Sequence, residues 1–372
     1  MKNKNAFLES LEHAFKLEKK YDVPAIDILL ISLNIEGVNY PFLDSKRVRF
    51  KISPYLINED FYLALTNTKD SRWIHNGKKL LFKNKPIAKA ELVENDTCDS
   101  TYFRKFVNIK NHKIGTEMTI NSNNRRKCSG CKFCGTYKLN SAKGDEDDLT
   151  SPQRLRKRIN YVLANEKLED LSHVKGISIV TGCFENEKDT LEHILMLNDI
   201  LKNDYNFKGE LKYMGSQITS IKSLKKMAEY VNSATIAMTI ECFTRRNQML
   251  KPEKNISLDK SRKILNTAKD LGINTTILYI MGLDPLEIFS DEIKKYVPVL
   301  TEFPIINTMQ EYIPGQADLR HLSANRIEYY LNARKMLEDI FKDKNLKPKV
   351  WQDYRGLFFT EYGGKKLNGI KI

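Results

Sequence analysis

The sequence has few cysteines, and their arrangement does not suit a disulfide framework. Six of the 372 residues are cysteine. Cys98, Cys183 and Cys242 stand far apart along the chain without a partner spacing. A structural zinc site with four protein ligands usually takes them as two separated pairs, and no second pair exists here. These absences exclude a disulfide scaffold and argue against a zinc site of paired cysteines.

Sequence motifs for nucleotides and membranes are also missing. No Gly-x-Gly-x-x-Gly stretch and no P-loop follows a predicted strand, which argues against a dinucleotide or nucleoside-triphosphate site. The longest apolar run lies near residues 26–33 and is too short to span a membrane. Residues 1–13 lack the continuous apolar core of a signal peptide. We therefore expect a soluble protein of the reducing cytoplasm without a membrane partner.

Acidic residues are fewer than basic ones, and the net charge is +14. The lysines are spread along the whole chain instead of forming one patch, and the densest basic group, residues 154–158, falls on a predicted helix. Dispersed charge is typical of a solvated surface, whereas nucleic-acid binders group their basic residues on one face. We therefore expect no nucleic-acid partner. A phosphate-bearing substrate or an acidic electron-donor protein remains compatible with the charge.

The chain does contain one dense cysteine cluster, Cys128, Cys131 and Cys134, in what we call the cysteine loop, residues 126–137. Three thiolates on one loop can bind three irons of an iron-sulfur cluster and leave one iron without a protein ligand. An open coordination position usually marks a site that performs chemistry. The alternative is a zinc knuckle completed by His112 or Cys98, in a non-catalytic protein that binds nucleic acid.

The pattern of apolar residues divides the chain into three parts. Residues 1–112 are predicted to form an α+β extension, with two helices before residue 34 and short strands between residues 46 and 93. In residues 113–320 strand-like runs alternate with amphipathic helices, and residues 321–372 form a helix and an aromatic tail that covers the barrel. The predicted strands of the middle part are 117–120, 177–182, 211–214, 235–240, 275–281 and 305–309. This alternation predicts an α/β fold with parallel strands, either an open sheet or a barrel.

The cysteine loop resembles the cluster-binding loop of the radical S-adenosylmethionine (SAM) superfamily. Residues 131–134, Cys-Lys-Phe-Cys, match the second half of the family motif, including an aromatic residue, Phe133, before the last cysteine. Two residues separate Cys128 from Cys131, where the family usually has three. The resemblance implies a [4Fe-4S] cluster on Cys128, Cys131 and Cys134, with SAM on the fourth iron. It also implies a partial (β/α)6 TIM-like barrel of the biotin-synthase kind.

The same resemblance implies a reaction class. Such an enzyme reductively cleaves SAM to a 5'-deoxyadenosyl radical, which abstracts hydrogen from a small-molecule substrate, and an acidic flavodoxin or ferredoxin supplies the electron. The sequence shows no second cysteine cluster and no cobalamin domain. Rearrangement, lyase or cyclisation chemistry is therefore favoured over auxiliary-cluster sulfur insertion. A radical SAM enzyme that modifies RNA is a further alternative.

Further candidate residues lie where the predicted strands end, because functional groups of parallel α/β folds gather there. They are Thr181, Gly182 and Glu185 after the second strand, Ser216 and Gln217 after the third, Glu241 and Arg246 after the fourth, and Met281 and Gly282 after the fifth. The resemblance implies that the first group contacts the SAM amino group and that residues 281–282 lie along the adenine. Glu241 and Arg246 are predicted to hold SAM, since a guanidinium can bind its carboxylate bidentately.

Overall fold

The computed structural model describes residues 7–93, 101–108, 113–121, 130–135, 149–180, 184, 186–250, 252–349 and 356–367. In the strands at 101–108 and 113–121 it describes the backbone and, of the side chains, that of Ile120. The predictions for Cys128, Thr181, Gly182 and Glu185 lie outside these residues. None of the described helices is long and apolar enough to cross a membrane.

The N-terminal part is an α+β unit, as the sequence predicts. Helices α1, Leu11–Tyr21, and α2, Ala25–Glu36, precede a five-stranded antiparallel sheet of order β2-β1-β5-β4-β3. Its strands are β1 Arg47–Pro54, β2 Phe61–Thr66, β3 Trp73–His75, β4 Lys79–Phe82 and β5 Lys85–Leu92. Helix α2 is buried from Ala25 to Ile35. A helix buried on all sides must have neighbours on all sides, so α2 lies between this sheet and the rest of the protein.

The second sheet forms the partial barrel. Its strands are β6 Thr101–Asn108, β7 Lys113–Asn121, β8 Val174–Val180, β9 Glu210–Met214, β10 Ala234–Glu241, β11 Asn274–Met281 and β12 Ile305–Thr308. Strands β7 to β12 are parallel and neighbour one another in chain order, and the sheet curls into a half-barrel. The predicted fold class is confirmed. Strand β6 pairs antiparallel with β7, so the sheet begins before residue 113, where the sequence placed its start.

Helices connect the parallel strands and cover their outer side. They are α3 Pro152–Glu166, α4 Glu187–Tyr205, α5 Ile221–Tyr230, α6 Arg246–Met249, α7 Leu258–Asp270 and α8 Leu286–Tyr296, followed by α9 Ile327–Phe341. Asn186, Ser220 and Ser257 cap α4, α5 and α7 with side-chain oxygens that accept a backbone N–H of the first turn. Such caps fix where each helix starts and hence how long each strand-to-helix loop is.

The concave face of the half-barrel is closed by ion pairs at the beginning of the strands. Lys212, which is 2% exposed, lies 2.7 Å from Glu302 and 3.2 Å from Glu210. Lys349 lies 2.8 Å from Glu302. Burial raises the pKa of Glu210, but the charges of Lys212 and Lys349 outweigh it and the net pKa is lowered. Glu210 therefore stays charged and helps to neutralise the buried lysine.

The same face is open where the strands end. Val180, Met214, Thr239, Leu278 and Ile280 are half-exposed, whereas the alternate positions of β10 and β11 are buried. Because alternate residues of a strand point to opposite sides, the half-exposed set lies on the concave side and the buried set under the helices. The half-barrel thus has a closed end at the strand starts and an open mouth at the strand ends.

The N-terminal unit and the C-terminal tail attach beside the last strand. Gln310, just after β12, donates hydrogen bonds to the carbonyls of Asn34 (3.0 Å) and Ala64 (3.2 Å). The tail includes the short hairpin β13 Glu361–Tyr362 and β14 Lys365–Lys366. Phe358 and Tyr362 pack against Phe303, which precedes β12. The described tail therefore lies against the edge of the barrel at the beginning of β12.

Candidate functional site

The described part of the cysteine loop, residues 130–135, lies at the mouth of the half-barrel. Phe133 is buried in a small apolar cluster with residues that follow the ends of β10, β11 and β12: Cys242, Met249, Leu250, Leu283 and Met309. Cys131 packs against the same cluster, and so does Ile280 from the concave face of β11. Because the cluster is built on the strand ends, it places Cys131 at the edge of the concave face. The described residues of the cysteine loop and the strand ends therefore lie together, and the predicted roles of the site residues stay predictions.

Hydrogen bonds from one glutamine hold the backbone of the loop. The Gln316 Nε2 atom donates to the carbonyls of Lys132 (2.7 Å) and Cys134 (3.1 Å). Its Oε1 atom accepts from the backbone N–H groups of Tyr312 (2.9 Å) and Ile313 (3.1 Å). Gln316 is 4% exposed, so its amide is fixed by these bonds. Sequence reasoning missed this residue, because a glutamine in a loop carries no motif.

The two described cysteines of the cysteine loop, Cys131 and Cys134, lie on one turn. The N–H of Cys134 donates to the carbonyl of Cys131 at 2.9 Å, and both side chains are half-exposed thiols. The Cys131 Sγ atom lies 3.5 Å from Glu253 Oε2. Half-exposed thiols are the soft ligands that iron-sulfur clusters and zinc prefer. Among the described residues no group of three or more His, Cys, Asp and Glu forms a metal site, and Cys128 lies outside them.

Glu241 ends β10 in a backbone conformation that is unusual for glutamate. Its φ is 64°, and the N–H of Cys242 donates to the carbonyl of Ile240 at 2.8 Å, which encloses Glu241 in a three-residue turn. The register with β11 shifts between Thr239 and Glu241, so a bulge redirects the chain here. Strained conformations at strand ends occur often at ligand sites. The structure thus places Glu241, half-exposed, at the mouth.

Arg246 contacts backbone carbonyls. Its Nη1 donates to the carbonyls of Ile240 (2.6 Å) and Cys242 (2.9 Å). Its Nη2 donates to those of Glu253 (2.8 Å) and Ile256 (3.2 Å). These bonds order the connection from β10 to α7. The four bonds use the four Nη hydrogens, so a SAM carboxylate that binds the guanidinium bidentately would have to replace at least one of these carbonyls. The predicted role of Arg246 stays a prediction.

A buried carboxylate that the sequence did not single out organises the same connection. Asp284 is fully buried and accepts hydrogen bonds from the N–H groups of Phe243 (2.7 Å) and Thr244 (3.0 Å) and from the Tyr279 hydroxyl (2.8 Å). Burial and the neighbouring Asp284 charge raise the pKa of Tyr279 far above its ordinary value, so this hydroxyl stays a donor. Asp284 therefore joins the end of β11 to the residues that follow β10.

Met281 and Gly282 pack against the interior of the protein. Met281 is fully buried. Gly282 has a φ of 112°, and a Cβ there would lie 3.0 Å from the Tyr330 hydroxyl and 3.4 Å from the Met309 Cβ. The absence of a side chain at Gly282 thus allows Tyr330 of α9 to approach the backbone closely. The predicted contact of residues 281–282 with adenine stays a prediction.

Ser216 and Gln217 follow β9, and Gln217 fixes the segment after β8. Its Nε2 donates to the Phe184 carbonyl at 2.6 Å, and its Oε1 accepts from the Phe184 N–H at 3.0 Å. This pair of bonds holds residue 184 between the predicted candidates Gly182 and Glu185. Ser216 is buried beside it. Gln217 therefore fixes the backbone of residue 184, and the predicted contact of Ser216 and Gln217 with a cofactor stays a prediction.

No protein-family model matches the sequence, and no curated protein matches it. Among solved structures the chain is similar to HydG, described as a maturase of the [FeFe]-hydrogenase, with a TM-score of 0.40 and 14% identity. The similarity covers 57% of this chain and 46% of that protein, so the chain spans less than half of its length. The functional interpretation therefore depends on the residues of this chain.

Proposed function

We propose that this protein is a radical SAM enzyme that acts on a small molecule. The observation that supports it most is the position of Cys131 and Cys134 over the mouth of a half-barrel of parallel strands. Functional groups of such folds gather at this end of the sheet. The three-cysteine spacing of the sequence adds Cys128 as the third ligand and leaves one cluster iron for SAM.

The residues of the chain have separate tasks in this proposal. Cys128, Cys131 and Cys134 hold a [4Fe-4S] cluster, which together with SAM supplies a radical able to abstract hydrogen from an unactivated carbon. Gln316 keeps the loop backbone in place. The apolar cluster around Phe133 covers the inner side of the loop, and a dry wall there protects reactive species from water.

SAM is assigned to the mouth, beside the cysteine loop. Glu241 is the main candidate for its amino group, because a half-exposed carboxylate at the rim suits a cation. Thr181, Gly182 and Glu185 are further candidates; in the sequence they flank residue 184, which Gln217 holds. The electron comes from an acidic flavodoxin or ferredoxin, for which a net charge of +14 is suited. Thiolate ligands also fit a reducing cytoplasm.

Metal analysis tests the cluster. Anaerobically prepared protein is expected to contain about four iron and about four sulfide per chain. Each of the variants Cys128→Ala, Cys131→Ala and Cys134→Ala is expected to lose the cluster. Cys242→Ala is the matched control, since this thiol is fully buried and should leave iron unchanged. Stoichiometric zinc without iron, or an intact cluster in Cys128→Ala, would contradict the assignment.

Product analysis tests the use of SAM. With dithionite, the wild-type protein is expected to release 5'-deoxyadenosine from SAM even without its substrate. Glu241→Ala should weaken SAM binding by about tenfold, the loss of one charge-assisted hydrogen bond, and Glu241→Gln should recover part of it. Unchanged SAM affinity in both variants would remove Glu241 from the site and leave the cluster assignment intact.

The basic residues support a small-molecule substrate over RNA. In the densest basic group, Arg156 lies 2.6 Å from Asp204, and the Arg158 guanidinium lies over the Tyr161 ring at 5.1 Å. Arg156 and Arg158 are thus engaged by neighbouring side chains of the protein, which makes them less suited to an open phosphate-binding stripe. We expect no micromolar binding of tRNA at roughly physiological salt, where non-specific binders already reach that affinity. Stimulation of 5'-deoxyadenosine formation by tRNA would instead favour the RNA-modifying alternative.

A further inference from the structure

The concave face near the mouth combines apolar side chains with two polar ones. We call this set the upper lumen face: Val180, Met214, Thr239, Leu278, Ile280 and Asn307. The strand register pairs Val180 with Met214, Thr239 with Leu278, and Ile280 with Asn307. Residues that pair in parallel strands point to the same side of the sheet, so these six share the concave side. These residues form the strand-end part of the concave face.

Two polar atoms of this face have unused hydrogen-bonding capacity. The Asn307 Oδ1 atom is buried and has no partner among the described residues, and Asn307 is 8% exposed. The Thr239 Oγ1 atom is likewise buried without a partner in the described part of the chain. A buried polar atom without a hydrogen bond costs about 1–3 kcal/mol. Each oxygen can therefore form a hydrogen bond with a molecule that occupies the face.

The face as described carries no charge. Its six members are uncharged, and four of them are apolar. The nearest charge below it on β9 belongs to Lys212, which the carboxylates at the closed end neutralise. Glu241 lies above it at the rim. Because an unpaired charge is expensive to bury, such a face favours an uncharged molecule over an ion.

The unsatisfied amide is separated from the cysteine loop by Ile280 and the apolar cluster around Phe133. Asn307 neighbours Ile280 across the strand pair, and Ile280 packs against the apolar cluster that also supports Cys131. A molecule bonded to Asn307 and lying along Leu278 and Ile280 would have its apolar part beside this wall. In this orientation C–H bonds of the bound molecule would lie towards the cysteine loop, where the proposed radical forms.

We propose that Asn307 and Thr239 select an uncharged, largely apolar molecule that carries an N–H or O–H donor. Asn307 Oδ1 accepts the hydrogen bond from that donor, Thr239 supplies a second polar contact, and the aliphatic side chains hold the body of the molecule. This substrate class rests on the proposed function, but the binding preference itself requires neither cluster nor SAM. A buried acceptor left unpaired discriminates strongly against analogues that lack the donor.

Fragment binding measured by ligand-observed NMR on the anaerobically isolated protein tests the proposal. The probes are indole against 1-methylindole and hexanamide against methyl hexanoate, with hexanoate and hexylammonium as charged counterparts. Indole and hexanamide are expected to bind about tenfold more tightly than their donor-free partners, the equivalent of one hydrogen bond to a buried acceptor. The ions are expected to bind more weakly than hexanamide.

Two variants separate this role from a structural one. Asn307→Leu should abolish the preference for indole over 1-methylindole and retain binding of the donor-free fragments. Thr308→Val is the matched control, because the Thr308 hydroxyl also lacks a partner among the described residues but lies on the opposite side of β12. It should leave the preference unchanged. Equal affinities within each wild-type pair, tighter binding of an ion, or an unchanged preference in Asn307→Leu would overturn the proposal.

Iron content and 5'-deoxyadenosine release from the same preparations keep the two proposals apart. A cluster and SAM cleavage without fragment preference would reject the role of Asn307 and retain the radical SAM assignment. Fragment preference in a protein without a cluster would support the selective face and reject the proposed function.

Discussion

Glu241 shows how a single residue combines backbone strain with a position at the candidate site. Its φ of 64° lies in the left-handed region, which costs a non-glycine residue about 1–2 kcal/mol. Glycine would occupy this conformation without that cost. A glutamate therefore stands where stability alone favours glycine, and this conflict between local preference and residue type is typical of functional positions.

We expect Glu241→Gly to be more stable than Glu241→Ala by about 1 kcal/mol, because relief of strain exceeds the entropy that glycine gains in the unfolded chain. Urea denaturation of the two variants measures the difference. The pair Glu229→Gly and Glu229→Ala is the control, since Glu229 is an exposed residue of α5, where glycine should be the less stable of the two by about 1 kcal/mol. If the glycine variant were less stable than the alanine variant at position 241 as well, Glu241 would not be strained.

The described cysteines should differ in reactivity. Cys242 is fully buried, and burial together with the Asp284 charge raises the pKa of its thiol to about 12. The thiolate fraction at neutral pH then falls by roughly 1000-fold relative to an ordinary cysteine. Cys131 and Cys134 are half-exposed.

Brief iodoacetamide treatment of cluster-free protein should therefore label Cys131 and Cys134 and leave Cys242 unmodified. Peptide mass spectrometry over a time course gives the three rates, and labelling in urea shows that Cys242 reacts once unfolded. Equal rates in the folded protein would contradict the buried position of Cys242.

At the scale of elements, the strands were predictable and the contacts that hold the cysteine loop were not. Apolar periodicity located all six parallel strands. Each strand must bury one face under helices, so its own residues carry a recognisable apolar pattern. Gln316 and Gln310 are two buried glutamines after the same strand that bind different segments. Their partners are backbone carbonyls distant in sequence, which any residue provides, so no motif could identify them.

The element that positions the cysteine loop can be tested by one isosteric change. Gln316→Glu keeps the oxygen that accepts from Tyr312 and Ile313 but replaces the donor to the Lys132 and Cys134 carbonyls. We expect a stability loss of about 1–3 kcal/mol and a loss of more than half of the bound iron, measured by unfolding and iron analysis.

Gln310→Glu is the matched control, because Gln310 is equally buried and its amide donates to two carbonyls of the N-terminal unit. This variant should lose similar stability and keep its iron. If both variants keep their iron, Gln316 is not needed to position the ligands.

For the whole molecule, the order of elements was predictable but the way the three parts join was not. Strand β6 was not predicted, because its antiparallel pairing with β7 follows from a hairpin and not from the helix-strand alternation used to find the barrel. The division of the chain at residue 113 stays a prediction. The attachment of the tail was also missed. It depends on Asp27 of α2 and Arg334 of α9, which are 307 positions apart. A single charged residue in a helix usually indicates a solvated face, so neither residue was expected to be buried.

Asp27 and Arg334 connect all three parts of the chain. Both are 0% exposed, and the Arg334 Nη1 atom donates to Asp27 Oδ2. Arg334 also donates to the carbonyls of Leu357 (3.1 Å) and Glu361 (2.8 Å), while the Thr360 hydroxyl donates to Asp27 at 2.7 Å. The pair therefore joins the N-terminal unit, the last helix and the tail at one buried point. Such a junction should make the protein unfold as one unit.

We expect Arg334→Met to lower the free energy of unfolding by about 3–5 kcal/mol, because it leaves the Asp27 charge buried without its partner. The double variant Asp27→Asn/Arg334→Met should be less destabilised than the sum of the single variants, since the second change removes the uncompensated charge. Arg156→Met is the control, because the Arg156–Asp204 pair is 43% and 36% exposed and should contribute less than about 1 kcal/mol.

Tryptophan fluorescence, which includes Trp73 of the N-terminal sheet, and far-UV circular dichroism should follow one shared urea transition that shifts as a whole in Arg334→Met. Separate transitions for the two signals in the wild-type protein would show that the junction does not couple the three parts.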